Sequence, residues 1–224
     1  MSPSPVPPPR WISFDCYGTL IDWKSGIRRA FEELARVPEA EAAELFQTWE
    51  RIQWEKIQGP YAPYEEIMQA SFRETLEEFG YHYGGYALEA FVESLARWEP
   101  FPDVNPALIR LSRRYKLAII SNIDRHLLGR SLQRLAVRFD ALITAEDVRA
   151  YKPNPEIFRH ALTLLACPAQ EVVHVAFGAE YDLQPAQALG FRVVYLNRQK
   201  LLPPEALPEA EIADLEELSS LWKE

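Results

Sequence analysis

Cysteine, an excess of basic residues and long apolar runs are what this 224-residue chain lacks. Its two cysteines, Cys16 and Cys167, stand far apart and in no metal-like spacing. That excludes a disulfide framework and a thiolate zinc site, and it fits a reducing compartment. Acidic residues outnumber basic ones, 33 to 24, for a net charge of -9. The nearest thing to a basic run, RLSRRYK, reads as the solvated end of a helix leading into a strand. A polyanion partner needs a basic patch, so nucleic acid is excluded. No segment approaches a membrane span, and the opening MSPSPVPPPR has no apolar centre of the kind a signal peptide requires. The expectation is a cytoplasmic protein without a membrane partner, starting with a disordered Pro-rich tail over residues 1–9.

What is present is an ordinary globular balance, 48% hydrophobic and 25% charged, in a chain long enough for one large domain or a core with an insertion. After Thr19 the pattern is helical for about eighty residues: IRRAFEELARV, AEAAELFQTWERIQWEKIQ, YEEIMQASFRETLEEFG and ALEAFVESLARW carry apolar residues at helical spacing. Pro100 and Pro102 punctuate the end of this block. Beyond it, short β-branched runs (KLAII, ALIT, VVHVA, RVVYL) alternate with helical stretches, and WISF supplies one more strand near the start. Strict alternation predicts βαβ units around a parallel sheet. The fold class is therefore α/β, a doubly wound core of residues 10–20 and 101–224 with an all-helical domain, 21–100, inserted after the first strand.

In open parallel sheets ligands bind beyond the carboxyl ends of the strands. That rule selects Asp15 after WISF, Ser121 and Asn122 after KLAII, Lys152 in the loop after ALIT, and the stretch from Phe177 to Asp182 after VVHVA. Each also has a plainer reading. A strand-end Asp can cap a turn, Ser121-Asn122 can form one, and Asp124 looks like the N-cap of the next helix. Asn154 as N-cap with Pro155 at the first helical position would start a helix and stiffen the loop that carries Lys152. Cys16 reads as a small buried filler and His174, inside a strand, as a satisfied core histidine. Trp49, Trp54, Tyr61 and Tyr64 are candidates for an apolar pocket wall or for helix core.

The four motifs DCYGTL, SN, YKPNPEIF and the Asp182 loop, in this order and with a helical insertion after the first, resemble the haloacid dehalogenase superfamily, and within it the 2-haloacid dehalogenases. The resemblance covers nearly the whole chain after the tail. It implies a Rossmann-like core with a helical cap and Asp15 as a nucleophile that forms a covalent aspartyl intermediate. Lys152 would keep Asp15 ionised, and Asp182 would activate water. Tyr17, Thr19, Ser121, Asn122, Arg51 and Phe177 would complete the substrate site.

The resemblance also separates two branches. Phosphatases of the superfamily carry a second acid two residues after the nucleophile and a magnesium-binding carboxylate five residues before the fourth-motif Asp; here these positions are Tyr17 and Phe177. A phenol is a poor acid at neutral pH and a phenyl ring cannot ligate a hard cation. The expectation is a metal-independent hydrolase without cofactor, acting on a small-molecule carboxylic acid at a carbon–halogen bond, with a homodimer left open. Glu50 stands where the dehalogenases place a halide-binding Arg, with Arg51 one position late, and Phe158, Phe177 and Ala179 replace their Tyr, Ser and Asn. These departures leave two rivals: a magnesium-dependent phosphatase, or a binding protein with an abandoned active site.

Overall fold

Strands of a parallel sheet are buried on both faces and read as unbroken apolar runs. WISF, apolar but for Ser13, is close to one: in this computed structural model, which describes residues 7–200 and 208–222, Trp11–Phe14 form β1 with every residue buried. β2 (Lys116–Ser121), β3 (Ala141–Thr144), β4 (Val172–Ala176) and β5 (Arg192–Leu196) occupy the other expected runs. A short β6 (Ala210–Ile212), without a long apolar run to announce it, completes the sheet. The order is β3-β2-β1-β4-β5-β6 and every pair is parallel.

Four helices, α1 (Trp23–Ala35), α2 (Glu39–Ile57), α3 (Tyr64–Glu78) and α4 (Ala87–Ser94), lie between β1 and β2, ahead of α5 (Val104–Leu111). The chain leaves the sheet and returns to it side by side. Ile21 bridges both Tyr17 and Pro100, Asp22 N–H donates to the Glu99 carbonyl at 2.9 Å, and Phe101 N–H donates to Leu20 at 3.0 Å. The remaining helices are α6 (Arg125–Ser131), α7 (Ala145–Val148), α8 (Glu156–Leu165), α9 (Gln184–Ala188) and α10 (Leu215–Leu218).

Side chains alternate across the strands, and so does the core. Ile12, Phe14, Val173 and Val175 join one apolar cluster that runs on into the helical block through Phe31, Phe72 and Phe91. Within it Phe72 stacks on Phe31 at 4.9 Å and on Phe91 at 4.2 Å, so Phe72→Ala should cost about 3–5 kcal/mol. Trp11, Ile120, Val172 and Val193 face the other side, packed with Phe158 and Ala161 of α8.

Three local expectations are refined. Asp124 does precede α6, but its carboxylate caps no amide there; it accepts instead from Tyr64 and Glu65 N–H, the free amides at the start of α3. Helix α8 begins at Glu156, one residue later than expected, with Pro155 in the capping position and Asn154 Oδ1 accepting from Glu156 N–H at 3.0 Å. Residues 1–6, most of the expected tail, lie outside the described residues. Pro9 is buried and the Pro7 carbonyl accepts from Arg192 at 2.8 Å, so the end of the Pro-rich segment is held against the core.

Candidate active site

β1 lies between β2 and β4, where the strand order reverses, and the loops beyond these three strands converge. The turn after β1 requires glycine. Gly18 has φ +93°, and a Cβ there would lie 2.3 Å from the Phe177 ring. This turn brings Thr19 back over Asp15: the hydroxyl donates to Asp15 Oδ2 at 3.0 Å and accepts from Phe177 N–H at 3.3 Å.

The other carboxylate oxygen belongs to Lys152. Its Nζ donates to Asp15 Oδ1 at 2.9 Å, to Asp182 Oδ1 at 2.5 Å and to the Ile120 carbonyl at 3.1 Å, and the lysine is wholly buried. Asn122 holds its backbone from both ends, accepting from Lys152 N–H at 2.7 Å and donating to the Lys152 carbonyl at 3.1 Å. Three donor bonds thus exhaust the ammonium, which explains how a fully buried lysine is accommodated.

The electrostatics follow from one cation among two buried acids. Burial pushes the Asp15 carboxyl above the usual aspartate range and the charge of Asp182 adds to this, while Lys152 and Thr19 pull it back. Burial also opposes the charge on Lys152, but the two carboxylates outweigh it and hold the ammonium above its ordinary value. Asp182 resists its burial through Lys152 and His174 and lies below the usual value. Asp15 is therefore the first of the three to lose its charge on acidification.

Asp15, Lys152, Ser121, Asn122 and Tyr17 share the wall of a cavity of about 270 Å³. The Ser121 hydroxyl is buried and has no hydrogen-bond partner among the described residues. The Tyr17 hydroxyl shares a hydrogen bond with the Ser131 hydroxyl at 2.8 Å, and burial pushes the phenol well above its ordinary value, so it is no acid at neutral pH. Thr19 and Asp182 sit behind this wall, Asp182 fully buried beyond the ammonium.

Two expected substrate contacts fall elsewhere. Arg51 points outward from α2, paired with Glu55 at 3.0 Å and Glu78 at 3.2 Å, because one step along a helix turns a side chain by about 100°. Glu50 takes the inward place, at the mouth of the cavity with Glu180. Phe177 serves through its N–H to Thr19; its ring packs on Gly18 and borders a separate hollow with Phe101 and Arg198. Of the four aromatic candidates, Trp54 and Tyr64 line the cavity, whereas Trp49 is packed among Trp23, Phe46 and Phe91 and Tyr61 stacks on Tyr151.

Sequence reasoning did not place Gln53 in the wall, reached Glu180 and Tyr181 only within the selected stretch from Phe177 to Asp182, and left His174 as core. His174 is buried, yet its Nε2 lies 3.0 Å from Asp182 Oδ1. The signal that could have found it is the polar residue in the middle of each of two neighbouring strands, Ser13 in WISF and His174 in VVHVA; these two stand opposite one another in the register.

A carboxylate fixed at both oxygens, charged by a shared lysine and lining a cavity, can act as a nucleophile, with a second acid behind it. Comparison with known proteins finds relatives along most of the chain. The chain is 29% identical over 218 residues to the (S)-2-haloacid dehalogenase H-109 of Pseudomonas putida, covering 93% of this chain and 95% of that one. It is 29% identical over 221 residues to (S)-2-haloacid dehalogenase 4A of Burkholderia cepacia, covering 93% and 91%. A dehalogenase crystal structure superimposes with a TM-score of 0.86 at 28% identity, over 96% of this chain and 98% of the other. The family model for haloacid dehalogenase-like hydrolases matches residues 9–190, and the chain belongs to that family.

Proposed function

We propose that this hydrolase cleaves the carbon–halogen bond of small 2-halo carboxylic acids, using Asp15 as nucleophile and no metal. In the first step an Asp15 oxygen attacks the halogen-bearing carbon, a C–O ester bond forms, and the halide leaves with its bonding pair. No proton is needed for that departure. In the second step a water attacks the aspartyl carbonyl carbon and passes one proton to Asp182; the acyl C–O bond of the ester breaks, the leaving alkoxide takes that proton to become the hydroxyl of a 2-hydroxy acid, and the water's other proton is lost to solvent as Asp15 ionises again. Lys152 keeps both carboxylates charged, and the unpartnered Ser121 hydroxyl is the donor for the substrate carboxylate.

The observation that carries this reading is the Lys152 ammonium bonded at once to Asp15 and Asp182 beside a cavity that Asp15 lines. It also bears on magnesium. The donor set fits a hard cation poorly: one oxygen of each acid is bound to the lysine, Asp15 Oδ2 is bound to Thr19, and a phenyl ring occupies position 177. No group of three or more His, Cys, Asp or Glu side chains among the described residues converges to hold a metal. The relatives named above as (S)-2-haloacid dehalogenases support the choice of a chiral 2-haloacid as substrate class.

The test is ion release from a panel of 2-halo acids and phosphate monoesters, with and without EDTA. Halide release that survives chelation is expected. Phosphate release restored by magnesium would replace this reading with the phosphatase, and no release from any substrate would leave the binding protein.

A further inference from the structure

Asp182 is held entirely through one of its two oxygens. Oδ1 takes the Lys152 ammonium at 2.5 Å and His174 Nε2 at 3.0 Å; Oδ2 is buried with no hydrogen-bond partner among the described residues. Gly178 and the Tyr181 ring pack over this side of Asp182: a Cβ at Gly178 would lie 2.4 Å from the ring and 2.9 Å from Oδ2. His174 is itself held by two further neighbours. Its Nδ1 lies 3.0 Å from Ser13 Oγ, Ser13 stands opposite it in the β1–β4 register, and the Phe158 ring of α8 meets the imidazole edge-on at 5.3 Å. An ionised carboxylate only accepts, so the proton between the two groups sits on Nε2 and His174 donates to Asp182.

We infer that His174 is a positioning residue for the second chemical step: as the second donor on Oδ1 beside Lys152, it fixes the carboxylate so that Oδ2, the oxygen committed to no donor, is the atom that takes the proton of the hydrolytic water. The inference rests on the proposed dehalogenase reading and deepens it. Two donors define the orientation of a carboxylate where one leaves it free to swing, and a base misplaced by about 1 Å loses on the order of 100-fold in rate. Phe158 matters here too. The residue that the resemblance would have as Tyr carries no hydroxyl in this chain, and the imidazole that it packs against supplies a polar hold on Asp182.

The step dependence gives the test. His174→Leu removes the donor, and His174→Gln keeps an N–H that can reach the same oxygen. In rapid-quench assays, the first equivalent of halide should leave His174→Leu at close to the native rate, while steady turnover falls on the order of 10- to 100-fold and the ester on Asp15 accumulates by mass spectrometry. His174→Gln should recover most of the loss. If His174→Leu fails to fold, Ser13→Ala removes the group that orients the imidazole and should show the same split, several-fold in size. A uniform fall in both steps, or unchanged turnover, would overturn the inference.

A second measurement does not need a substrate. With 15N-labelled histidine, the Nε2–H resonance of His174 should shift when Asp182 becomes Asn. A resonance that ignores Asp182→Asn removes the positioning role. A resonance that responds, in a native protein that releases no halide, removes the dehalogenase reading and keeps the hydrogen bond.

Discussion

The carboxylate of Asp124, at the foot of α6, accepts the N–H groups of Tyr64 and Glu65 at 2.9 and 2.8 Å, so a side chain of the sheet region caps the first turn of α3 in the inserted helices. Helix α3 has no cap of its own, since Pro63 precedes it and offers no side-chain acceptor. Asp124 is 3% exposed, and hydrogen bonds to a charged group are worth about 1.5–3 kcal/mol. Asp124→Ala should therefore lower stability by about 2–3 kcal/mol in urea titrations, and it should speed proteolysis in the Gly59–Pro63 connection. Native cleavage rates in a destabilised variant would show that other contacts hold α3 in place.

Lys152 neutralises two buried acids, and its loss leaves both without a counter-charge. Lys152→Met should abolish turnover and cost roughly 3–5 kcal/mol, the usual penalty for breaking one side of a buried pair. Adding Asp182→Asn to Lys152→Met should return part of that stability without restoring activity. A double variant less stable than the single one would contradict the shared-cation picture.

Asp182→Asn keeps the shape of the site and removes the base. It should release up to one equivalent of halide per active site and then stall, with the substrate's acyl-bearing carbon skeleton attached to the peptide that contains Asp15. Sustained turnover with no adduct would leave Asp182 a structural partner of Lys152 and His174.

The pH dependence has a definite sign. The nucleophile must be ionised, and burial together with Asp182 raises the Asp15 carboxyl. The acid limb of the halide burst should thus lie above the ordinary aspartate value of about 3.9. Lys152 is shifted upward, so the loss of its charge places no limb below the ordinary lysine value of about 10.4. Asp182 is shifted downward; its contribution to stability is complete above the unfolded-state value and fades as pH falls through its lower folded value. A burst amplitude independent of pH down to 3 would refute the assignment of Asp15.

Glu50 and Glu180 place two acids at the mouth of a cavity proposed to admit a carboxylate. Burial raises the Glu50 carboxyl, with Lys24 opposing the shift. Glu50→Arg should lower KM for 2-halo acids on the order of 10-fold at low salt, and less as salt screens the mouth. An unchanged KM would show that substrate enters past neither side chain.

The sheet was legible because its central strands are mostly apolar runs, and Asp15, Lys152 and Asp182 because each lies beyond such a run, Lys152 just ahead of Pro153. β6 was not, being three residues long with Glu211 exposed at its centre. Arg51 and Glu50 differ by one helical step, and the phase of α2, with its apolar residues spread around the helix, is set by packing of Trp49 and Phe46 against Trp23. Asp124 and His174 depend on partners 60 and 8 residues away in the chain, brought near by the fold alone. Their residue types fit the local readings of cap and core histidine, so nothing in the one-dimensional pattern pointed past them.

The central place of β1 has a consequence for biosynthesis. Both its neighbours, β2 and β4, come later in the chain, the nearer one starting at Lys116. At about 5–20 residues per second, roughly 5–20 s pass between the emergence of Phe14 and that of its first pairing strand, and longer before β4 can close the other side. During that interval WISF is an unpaired apolar segment on a growing chain, bound for the middle of a sheet. The helical block, with its aromatic stack made of contacts local to residues 31–91, is the part able to form meanwhile. Its paired exit and return then bring Phe101, and with it β2, back beside the waiting strand.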